Sequence, residues 1–266
     1  MAIDHAAADR AAQWLAEARL RKRSVGDLPQ GLRPATAEAG YAIQAGVLRR
    51  LTAAGRGALA GWKVGATTRP MQKLLNMPEP VAGAVLESAV LRSPATLEFS
   101  DFLKPGVECE VCMRLKAPLP AGAGRVGRAE AAIAVAAICA AIEVVDNRYG
   151  DFARIGAPTI IADDVFQAAV VLGDWTEQWR ELDLVDCVGT TAVDGVTKLE
   201  GRGLDVMGHP LESLAWLANF LGKSGGRIEA GQIVMTGSLT LPYWANRGEK
   251  IQARIDGLGA VNVVFA

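Results

Sequence analysis

Histidine is scarce in this sequence: its 266 residues include only His5 and His209. Imidazole is the usual acid–base group near neutral pH, so a reaction that depended on it would have almost no choice of residue. His5 lies in a helical pattern where we expect it to be exposed. His209 precedes Pro210 at a helix start, where we expect a turn or capping role. We therefore expect any chemistry to run on carboxylates, on lysine or on a metal ion.

A basic surplus and a long apolar run are also absent. The 28 Lys+Arg and 29 Asp+Glu give a formal net charge of -1, so the sequence lacks the basic footprint of a nucleic-acid-binding protein. The longest uncharged apolar run, Ala131 to Ile142, is too short to span a bilayer. Charged residues interrupt the N-terminal segment, which therefore has no secretory core. We expect a cytoplasmic protein that binds neither nucleic acid nor membrane.

Cysteine is sparse as well, and its four residues stand among apolar neighbours: Cys109, Cys112, Cys139 and Cys187. This setting favours reduced, buried thiols over disulfides. Cys109 and Cys112 make one C-x-x-C, but without a second pair or a nearby histidine it is a weak zinc signal.

Hydrophobic periodicity divides the chain into two parts. Residues 1–75 are predicted to be mostly helical, with helices at 4–23 and 36–53, a strand at 58–66 and a helical turn at 69–75. Residues 76–266 are predicted to form a β-rich body, because short Val- and Ile-rich runs alternate there with Gly and Pro. Its predicted strands are 84–91, 107–115, 143–146, 168–172, 185–193, 233–236, 250–255 and 260–265. Two predicted helices, 128–142 and 211–221, interrupt this body.

Acidic residues occur inside two of the apolar runs. Alternation along the strand after Pro105 places Glu108 and Glu110 on one face. Such a pair is costly unless a positive charge lies between them, although a solvent-facing edge strand would also tolerate it. Glu143 has no local partner of opposite charge, whereas Asp146 and Arg148 form a possible pair. Three converging glutamates would suit a hard divalent cation, Mg²⁺ or Mn²⁺, better than zinc.

Lys63 and a short polar segment are the other candidates. A lysine inside the apolar run 58–66 must snorkel to solvent, pair with a carboxylate, or act on a substrate with a lowered pKa. The segment Thr236-Gly237-Ser238 ends a strand and offers backbone N–H groups and hydroxyls to an anion such as a carboxylate. Taken alone, this segment is a weak signal.

Five motifs in order closely resemble the 2-keto-4-pentenoate hydratase and 4-oxalocrotonate decarboxylase branch of the fumarylacetoacetase superfamily. They are Gly61-Trp62-Lys63-Val64-Gly65, Gly106-Val107-Glu108-Cys109-Glu110, the run from Ile142 to Arg148, Gly208-His209-Pro210-Leu211 with Trp216-Leu217-Ala218-Asn219, and Thr236-Gly237-Ser238. The likeness runs from about residue 36 to the C-terminus, and the order and spacing of the motifs make accidental agreement implausible.

The resemblance implies a fold, a site and an activity. The fold is α+β, a mixed β-sandwich roll with an N-terminal helical part. Mg²⁺ or Mn²⁺ is held by Glu108, Glu110 and Glu143, and Lys63 is the catalytic lysine. Residues 236–238 receive the carboxylate of a 2-oxo or 2-hydroxydienoic acid. The resemblance also implies homo-oligomers, and a complex with a related hydratase or decarboxylase is a further possibility.

Departures from the family pattern bear on the substrate. Val81 stands where hydratases of this branch usually carry an acid, which resembles the decarboxylases more. Asp164 replaces a usual Asn, and we expect it to contact the substrate. We expect a hydratase first, then a 4-oxalocrotonate-type decarboxylase, then an acylpyruvate hydrolase. A non-catalytic partner subunit whose pocket has drifted is the alternative from a different class.

Overall fold

Two β-sheets pack face to face in the computed structural model, which describes residues 5–26, 28–119, 125–151 and 154–266. Within these residues the larger sheet has the strand order β2-β1-β10-β5-β6-β7-β3, with β11 paired to β5. The smaller sheet has the order β4-β13-β12-β8-β9. Most neighbours are antiparallel, but β1 with β10, β3 with β7 and β4 with β13 are parallel. The predicted mixed β-sandwich is confirmed.

The strands are β1 (Leu59–Gly65), β2 (Val81–Leu86), β3 (Val90–Arg92), β4 (Ala95–Leu97), β5 (Pro105–Leu115), β6 (Val135–Asp146), β7 (Gln167–Leu172), β8 (Val188–Val193), β9 (Val196–Arg202), β10 (Ile233–Ser238), β11 (Tyr243–Trp244), β12 (Lys250–Ile255) and β13 (Gly259–Phe265). The α-helices are α1 (His5–Leu20), α2 (Ala37–Leu51), α3 (Arg69–Leu74), α4 (Arg128–Ala134), α5 (Ala157–Ala162) and α6 (Pro210–Gly222).

Side-chain alternation along β5 separates the core from the site. Val107, Cys109 and Val111 point into the apolar layer between the two sheets, together with residues of β12 and β13. Cys112, one step out of phase, belongs to a different apolar cluster on the outer face of the larger sheet. Glu108 and Glu110 share the phase of Cys112, so the period of two in the sequence carries both glutamates out of the sandwich core.

The predicted helix 128–142 is wrong beyond residue 134. Only α4 is helical, and Val135 begins the long strand β6, which pairs with β5 on one side and β7 on the other. Alanine favours helices, but propensity is a weak prior that tertiary context overrides. Ala137, Ala140 and Ala141 are fully buried in this interior strand, where pairing on both edges decides the conformation.

The helical N-terminal part packs its own core against the outer face of the larger sheet. Leu15 of α1 and Ile43 of α2 are buried in a cluster that also contains Ile160 of α5 and Phe166. Thr36 caps α2, because its hydroxyl accepts a hydrogen bond from the Ala39 N–H at 3.2 Å. The strand predicted at 58–66 is confirmed as β1 and lies in the larger sheet, and the domain boundary at residue 75 stays a prediction.

Several smaller predictions are also confirmed. His209 caps α6: its Nδ1 accepts a hydrogen bond from the Leu211 N–H at 3.0 Å. The four cysteines are free and buried. Cys109 and Cys112 belong to different apolar clusters. Within the described part of the chain, no helix has the length and apolar character needed to cross a bilayer.

Candidate active site

Strand β5 brings Glu108 and Glu110 to one face of the larger sheet. Because β5 lies between β10 and β6, it is an interior strand and not the solvent-facing edge that the sequence left open. Glu110 is 1% exposed and Glu108 is half-buried. Two carboxylates placed this way need a compensating positive charge or must hold protons.

Strand β6 supplies the third carboxylate by its register. Glu143 lies directly opposite Glu108 in the antiparallel pair, and the small side chain of Ala141 lies opposite Glu110. One carboxylate oxygen from each of Glu108, Glu110 and Glu143 lies within 4.8 Å of the others. The predicted convergence of three glutamates is therefore seen in the structure.

Lys63 on β1 points toward the same three carboxylates. Its Nζ lies 2.7 Å from Glu143 Oε1 and donates a hydrogen bond to the Val165 carbonyl oxygen at 3.0 Å. The residue is only 2% exposed, so the snorkelling alternative is wrong and pairing with a carboxylate is the arrangement found.

Gly83 makes room for the buried lysine. It lies opposite Lys63 in the β1–β2 pair, and a Cβ at this position would come within 2.7 Å of Lys63 Cγ. The same Cβ would lie 3.2 Å from Asp164 Oδ1. The absence of a side chain at residue 83 thus lets the lysine stem and the Asp164 carboxylate pass over the strand.

Burial and like charge raise the pKa of each glutamate in the set. Burial first and the Glu143 charge second raise the pKa of Glu108 to about 7, against the opposing effect of Lys63. The same two causes, with the Glu108 charge, raise the pKa of Glu110 well above its usual value. Burial also raises the pKa of Glu143, although Lys63 opposes it. Without a further cation these carboxyls therefore tend to hold protons.

The pKa of Lys63 is also raised. Burial acts to lower it, but attraction to Glu143 and Glu108 outweighs burial. A lowered lysine pKa, one of the alternatives from the sequence, is therefore wrong for the protein without bound ligands. The side chain is an ammonium ion held among carboxylates.

The donor set fits a hard divalent cation. Both oxygens of Glu143 are buried, and the side-chain partners that its carboxyl has among the described residues are the Lys63 ammonium and the Glu110 carboxyl. If all three glutamates are ionised, they carry two more negative charges than the Lys63 ammonium neutralises. An all-oxygen set with this charge matches the preference of Mg²⁺, Mn²⁺ or Ca²⁺ rather than that of zinc.

The segment Thr236-Gly237-Ser238 lies beside Glu110 at the end of β10. The Gly237 N–H donates a hydrogen bond to Glu110 Oε2 at 2.9 Å, and the Thr236 hydroxyl donates to the Val111 carbonyl oxygen at 2.9 Å. The structure thus places the segment at the carboxylates, and its expected contact with a substrate carboxylate stays a prediction.

Asp164 lies on the lysine side of the site. Its Oδ1 accepts a hydrogen bond from the Ala84 N–H at 2.8 Å, and its Oδ2 lies 3.5 Å from Arg19 Nη1. Burial raises its pKa to about 6, and the charge of Arg19 opposes that rise. Both oxygens therefore already have protein partners, and the predicted substrate contact stays a prediction.

A cavity of about 640 Å³ opens next to Gly237, lined by Thr67, Arg69, Gln72, Glu79 and Trp216 among others. Thr67 lies between this cavity and Gly237, because a Cβ on Gly237 would meet the Thr67 side chain at 2.4 Å. Gly237 in turn donates its N–H to Glu110. Sequence reasoning missed Thr67 and Arg69, because nothing in their local sequence marks them as part of a site.

The fold and the site together define a class of protein. It is a mixed β-sandwich with a buried set of acidic residues suited to a hard divalent cation. The family described as fumarylacetoacetate (FAA) hydrolase C-terminal matches residues 57–266. The chain therefore belongs to this family, and the resemblance found from the sequence is confirmed.

Individual relatives point to two activities. The chain is 32% identical over 252 residues to a 2-keto-4-pentenoate hydratase of Paraburkholderia phymatum, covering 95% of each chain. It is 28% identical over 225 residues to a 4-oxalocrotonate decarboxylase of Pseudomonas putida, covering 85% of this chain and 84% of that one. The solved structure of 4-oxalocrotonate decarboxylase from Pseudomonas putida G7, complexed with magnesium and adipate, superposes with a TM-score of 0.91 at 26% identity over 97% of both chains.

Proposed function

We propose that this protein is a metal-dependent hydratase acting on a short 2-oxo or 2-hydroxydienoic acid, such as 2-hydroxypenta-2,4-dienoate, in the breakdown of aromatic compounds. The observation that carries the proposal is the convergence of Glu108, Glu110 and Glu143 beside the buried ammonium of Lys63. The full-length likeness to a 2-keto-4-pentenoate hydratase supports hydration as the reaction.

The three glutamates are the proposed ligands of a divalent cation, Mg²⁺ or Mn²⁺. Their buried oxygens and uncompensated charge support this assignment, as does the magnesium bound by the decarboxylase from Pseudomonas putida G7. When bound, such an ion supplies Lewis-acid stabilisation of negative charge that develops on the 2-oxo oxygen of the substrate.

Lys63 is the proposed catalytic residue. Its pKa is raised in the protein without bound ligands, where it is an ammonium suited to stabilise an enolate or to donate a proton. Glu143 and the Val165 carbonyl fix its Nζ at 2.7 and 3.0 Å, which limits the directions in which that proton can move.

Residues 236–238 are the proposed receptor for the substrate carboxylate, and Asp164 is proposed to bound the pocket on the lysine side. The position of Gly237 between Glu110 and the cavity lined by Thr67 supports this orientation. Hydration adds water at the conjugated end of the substrate, so that end would extend into the cavity, where water is available.

Decarboxylation is the second candidate. The match to the structure of 4-oxalocrotonate decarboxylase, with a TM-score of 0.91, favours it, and so does the buried apolar residue Val81. The same enolate would form, but loss of CO₂ would replace addition of water. The identity of the distal end of the substrate would then decide between the two reactions.

Ultraviolet absorbance of purified protein with Mg²⁺ tests both candidates. We expect loss of the diene absorbance of 2-hydroxypenta-2,4-dienoate, and we expect EDTA to stop it. Turnover of 2-oxo-hex-3-enedioate with release of CO₂ would instead support the decarboxylase. If wild-type protein turns over neither compound and EDTA makes no difference, the lyase proposal fails, and a non-catalytic partner subunit becomes the better account.

Assembly and location complete the proposal. We propose a cytoplasmic homo-oligomer, with association to a related hydratase or decarboxylase as a further property. Light scattering of the purified protein, alone and mixed with such a partner, measures both. A monomer that binds no partner would contradict this part of the proposal and leave the reaction itself unaffected.

A further inference from the structure

Three consecutive residues between α5 and β7 have left-handed backbone conformations. The φ angles are 55° for Asp164, 51° for Val165 and 63° for Phe166. Residues other than glycine rarely adopt this region, and a β-branched residue such as Val165 does so only under strain. Strained backbone persists only where its surroundings hold it in place. This segment, which we call the left-handed turn (residues 164–166), is therefore defined by contacts from elsewhere in the fold.

The left-handed turn holds the proposed catalytic lysine. The Val165 carbonyl oxygen accepts the hydrogen bond from Lys63 Nζ at 3.0 Å, and the Val165 side chain packs against Gly65, where a Cβ would lie 2.8 Å from Val165 Cγ1. Glu143 is the other partner of the ammonium among the described residues. If the turn relaxed to ordinary backbone angles, the carbonyl would rotate and Lys63 would lose one of its two fixed contacts.

Arg19 of α1 contacts the left-handed turn at both of its ends. Its Nη2 donates a hydrogen bond to the Gln167 carbonyl oxygen at 2.7 Å, immediately after the turn, and its Nη1 lies 3.5 Å from Asp164 Oδ2 at the start. The Arg19 side chain is 12% exposed and that of Asp164 is 1% exposed. The planar guanidinium presents several donors at fixed angles, so one side chain can hold two points of the backbone segment.

Asp164 connects the left-handed turn to the larger sheet. Its Oδ1 accepts the Ala84 N–H of β2 at 2.8 Å, and β2 pairs with the strand that carries Lys63. The chain of contacts is therefore continuous from α1 through the left-handed turn to Lys63. Arg19 lies outside the residues 57–266 that match the family, so this contact comes from the helical N-terminal part of the chain.

We propose that Arg19 is a positioning residue for Lys63: it holds the left-handed turn so that the Val165 carbonyl fixes the ammonium beside Glu143. The effect on turnover rests on the proposed function of Lys63. Arg19 itself contacts neither the glutamates nor the cavity beside Gly237, so its loss should affect the catalytic step and not the binding of metal.

Arg19→Met tests the proposal against a matched control, Arg50→Met. Arg50 of α2 pairs with Asp9 of α1 at 2.7 Å, so the control also removes an arginine ion pair from the N-terminal helices but touches no part of the turn. We expect Arg19→Met to lower kcat by about 10- to 100-fold, the size of effect that a displaced catalytic group produces, with metal affinity unchanged. Arg50→Met should keep the wild-type kcat.

Chemical rescue separates positioning from general destabilisation. Arg19 lines a cavity of about 290 Å³. In Arg19→Ala, added guanidinium at non-denaturing concentration should restore part of kcat, whereas equal concentrations of sodium or urea should not. Arg19→Lys, which keeps the charge but loses the fork of donors, should fall between wild type and Arg19→Met. Arg19→Lys also tests the proposal if Arg19→Met and Arg19→Ala fail to fold.

A second measurement requires no turnover. Lys63 is buried in the wild-type protein, so mass spectrometry after brief treatment with an amine-acylating reagent should find it protected. We expect its labelling to rise several-fold in Arg19→Met and to stay at the wild-type level in Arg50→Met. If wild type has no activity, the proposed function fails and the labelling still decides the positioning. Equal labelling in both variants, or equal kcat, would overturn the proposal.

Discussion

Two buried groups of acidic residues share strand β6, and their partners differ. The carboxylate site consists of Lys63, Glu108, Glu110 and Glu143. The arginine cluster consists of Arg19, Asp146, Arg148, Asp163 and Asp164. In the first group one ammonium and one backbone N–H group, that of Gly237, serve three carboxylates. In the second, two guanidinium groups and three backbone N–H groups serve three carboxylates.

The difference separates a structural role from a binding role. Asp146 Oδ1 accepts hydrogen bonds from the N–H groups of Leu103 and Lys104 at 2.9 and 2.8 Å, and Arg148 Nε donates to Asp163 Oδ2 at 2.9 Å. These carboxylates are largely satisfied by the protein itself. Among the described residues the glutamates have fewer such partners, the Lys63 ammonium and the Gly237 N–H, and buried charge that the fold does not neutralise is available to an added cation.

Glu143→Gln should produce the largest effect, because it removes a proposed ligand and the partner of Lys63 together. We expect metal affinity and turnover to fall in parallel, with turnover lower by about 10³-fold, since metal stabilisation of the transition state contributes several kcal/mol. Calorimetric titration with Mn²⁺ and the absorbance assay measure the two quantities. Glu108→Gln should behave in the same way. Wild-type metal content in both variants would contradict the ligand assignment.

Lys63→Ala should separate the lysine from the metal. Removing the ammonium leaves the three carboxylates in place, so we expect metal binding to be retained. Turnover should fall by about 10²-fold or more, the usual contribution of a proton-transferring side chain. A variant that stays fully active would show that Lys63 only neutralises the carboxylates.

Arg148→Met should destabilise the arginine cluster and leave the carboxylates of the carboxylate site in place. Removing one partner of a buried ion pair costs about 3 kcal/mol or more in the free energy of unfolding, because the remaining carboxylate stays buried without its counter-charge. Urea denaturation measures this loss. The metal affinity of the folded protein should be unchanged, and a matching loss of metal would mean that the two groups act as one network.

The smallest effect concerns pH and Asp164 of the arginine cluster. Burial raises its pKa from 3.8 to about 6 in the folded protein. Between pH 3.8 and about 6 the folded state therefore holds a proton on Asp164 that the unfolded state has released. The stability that this proton contributes is fully present below pH 3.8 and is lost as the pH rises through about 6.

Asp164→Asn should remove that pH dependence. The stability of the variant relative to wild type should rise by up to about 3 kcal/mol between acidic and neutral pH, since each unit of pKa shift corresponds to about 1.4 kcal/mol. Urea melts in EDTA at several pH values measure the difference. Parallel stability curves for the two proteins would show that Asp164 does not titrate in this range.

The sequence was sufficient to predict the sandwich and the four residues of the carboxylate site. A period of two between residues 107 and 113 assigned Glu108 and Glu110 to one face. The sandwich and the set of three ligands were implied by the family resemblance. The helix predicted at residues 135–142 was wrong, because alanine favours helices and only pairing with β5 and β7 makes this segment a strand.

Contacts between distant segments could not be predicted from pattern. Lys63 pairs with Glu143 across the sheet, and Arg19 pairs with Asp164, which lies 145 positions further along the chain. Neither local propensity nor spacing encodes such a distance. The left-handed backbone at Val165 was also unexpected, because valine carries no local signal for it and the surrounding contacts impose it.

The register of β5 against β6 constrains how this protein can change over evolution. Glu108 faces Glu143 while their neighbours Val107 and Val144 face the sandwich core. Inserting or deleting one residue in either strand would exchange the two faces. The site and the core would then be lost in one event, so length changes are expected in the loops of homologues and not within these strands.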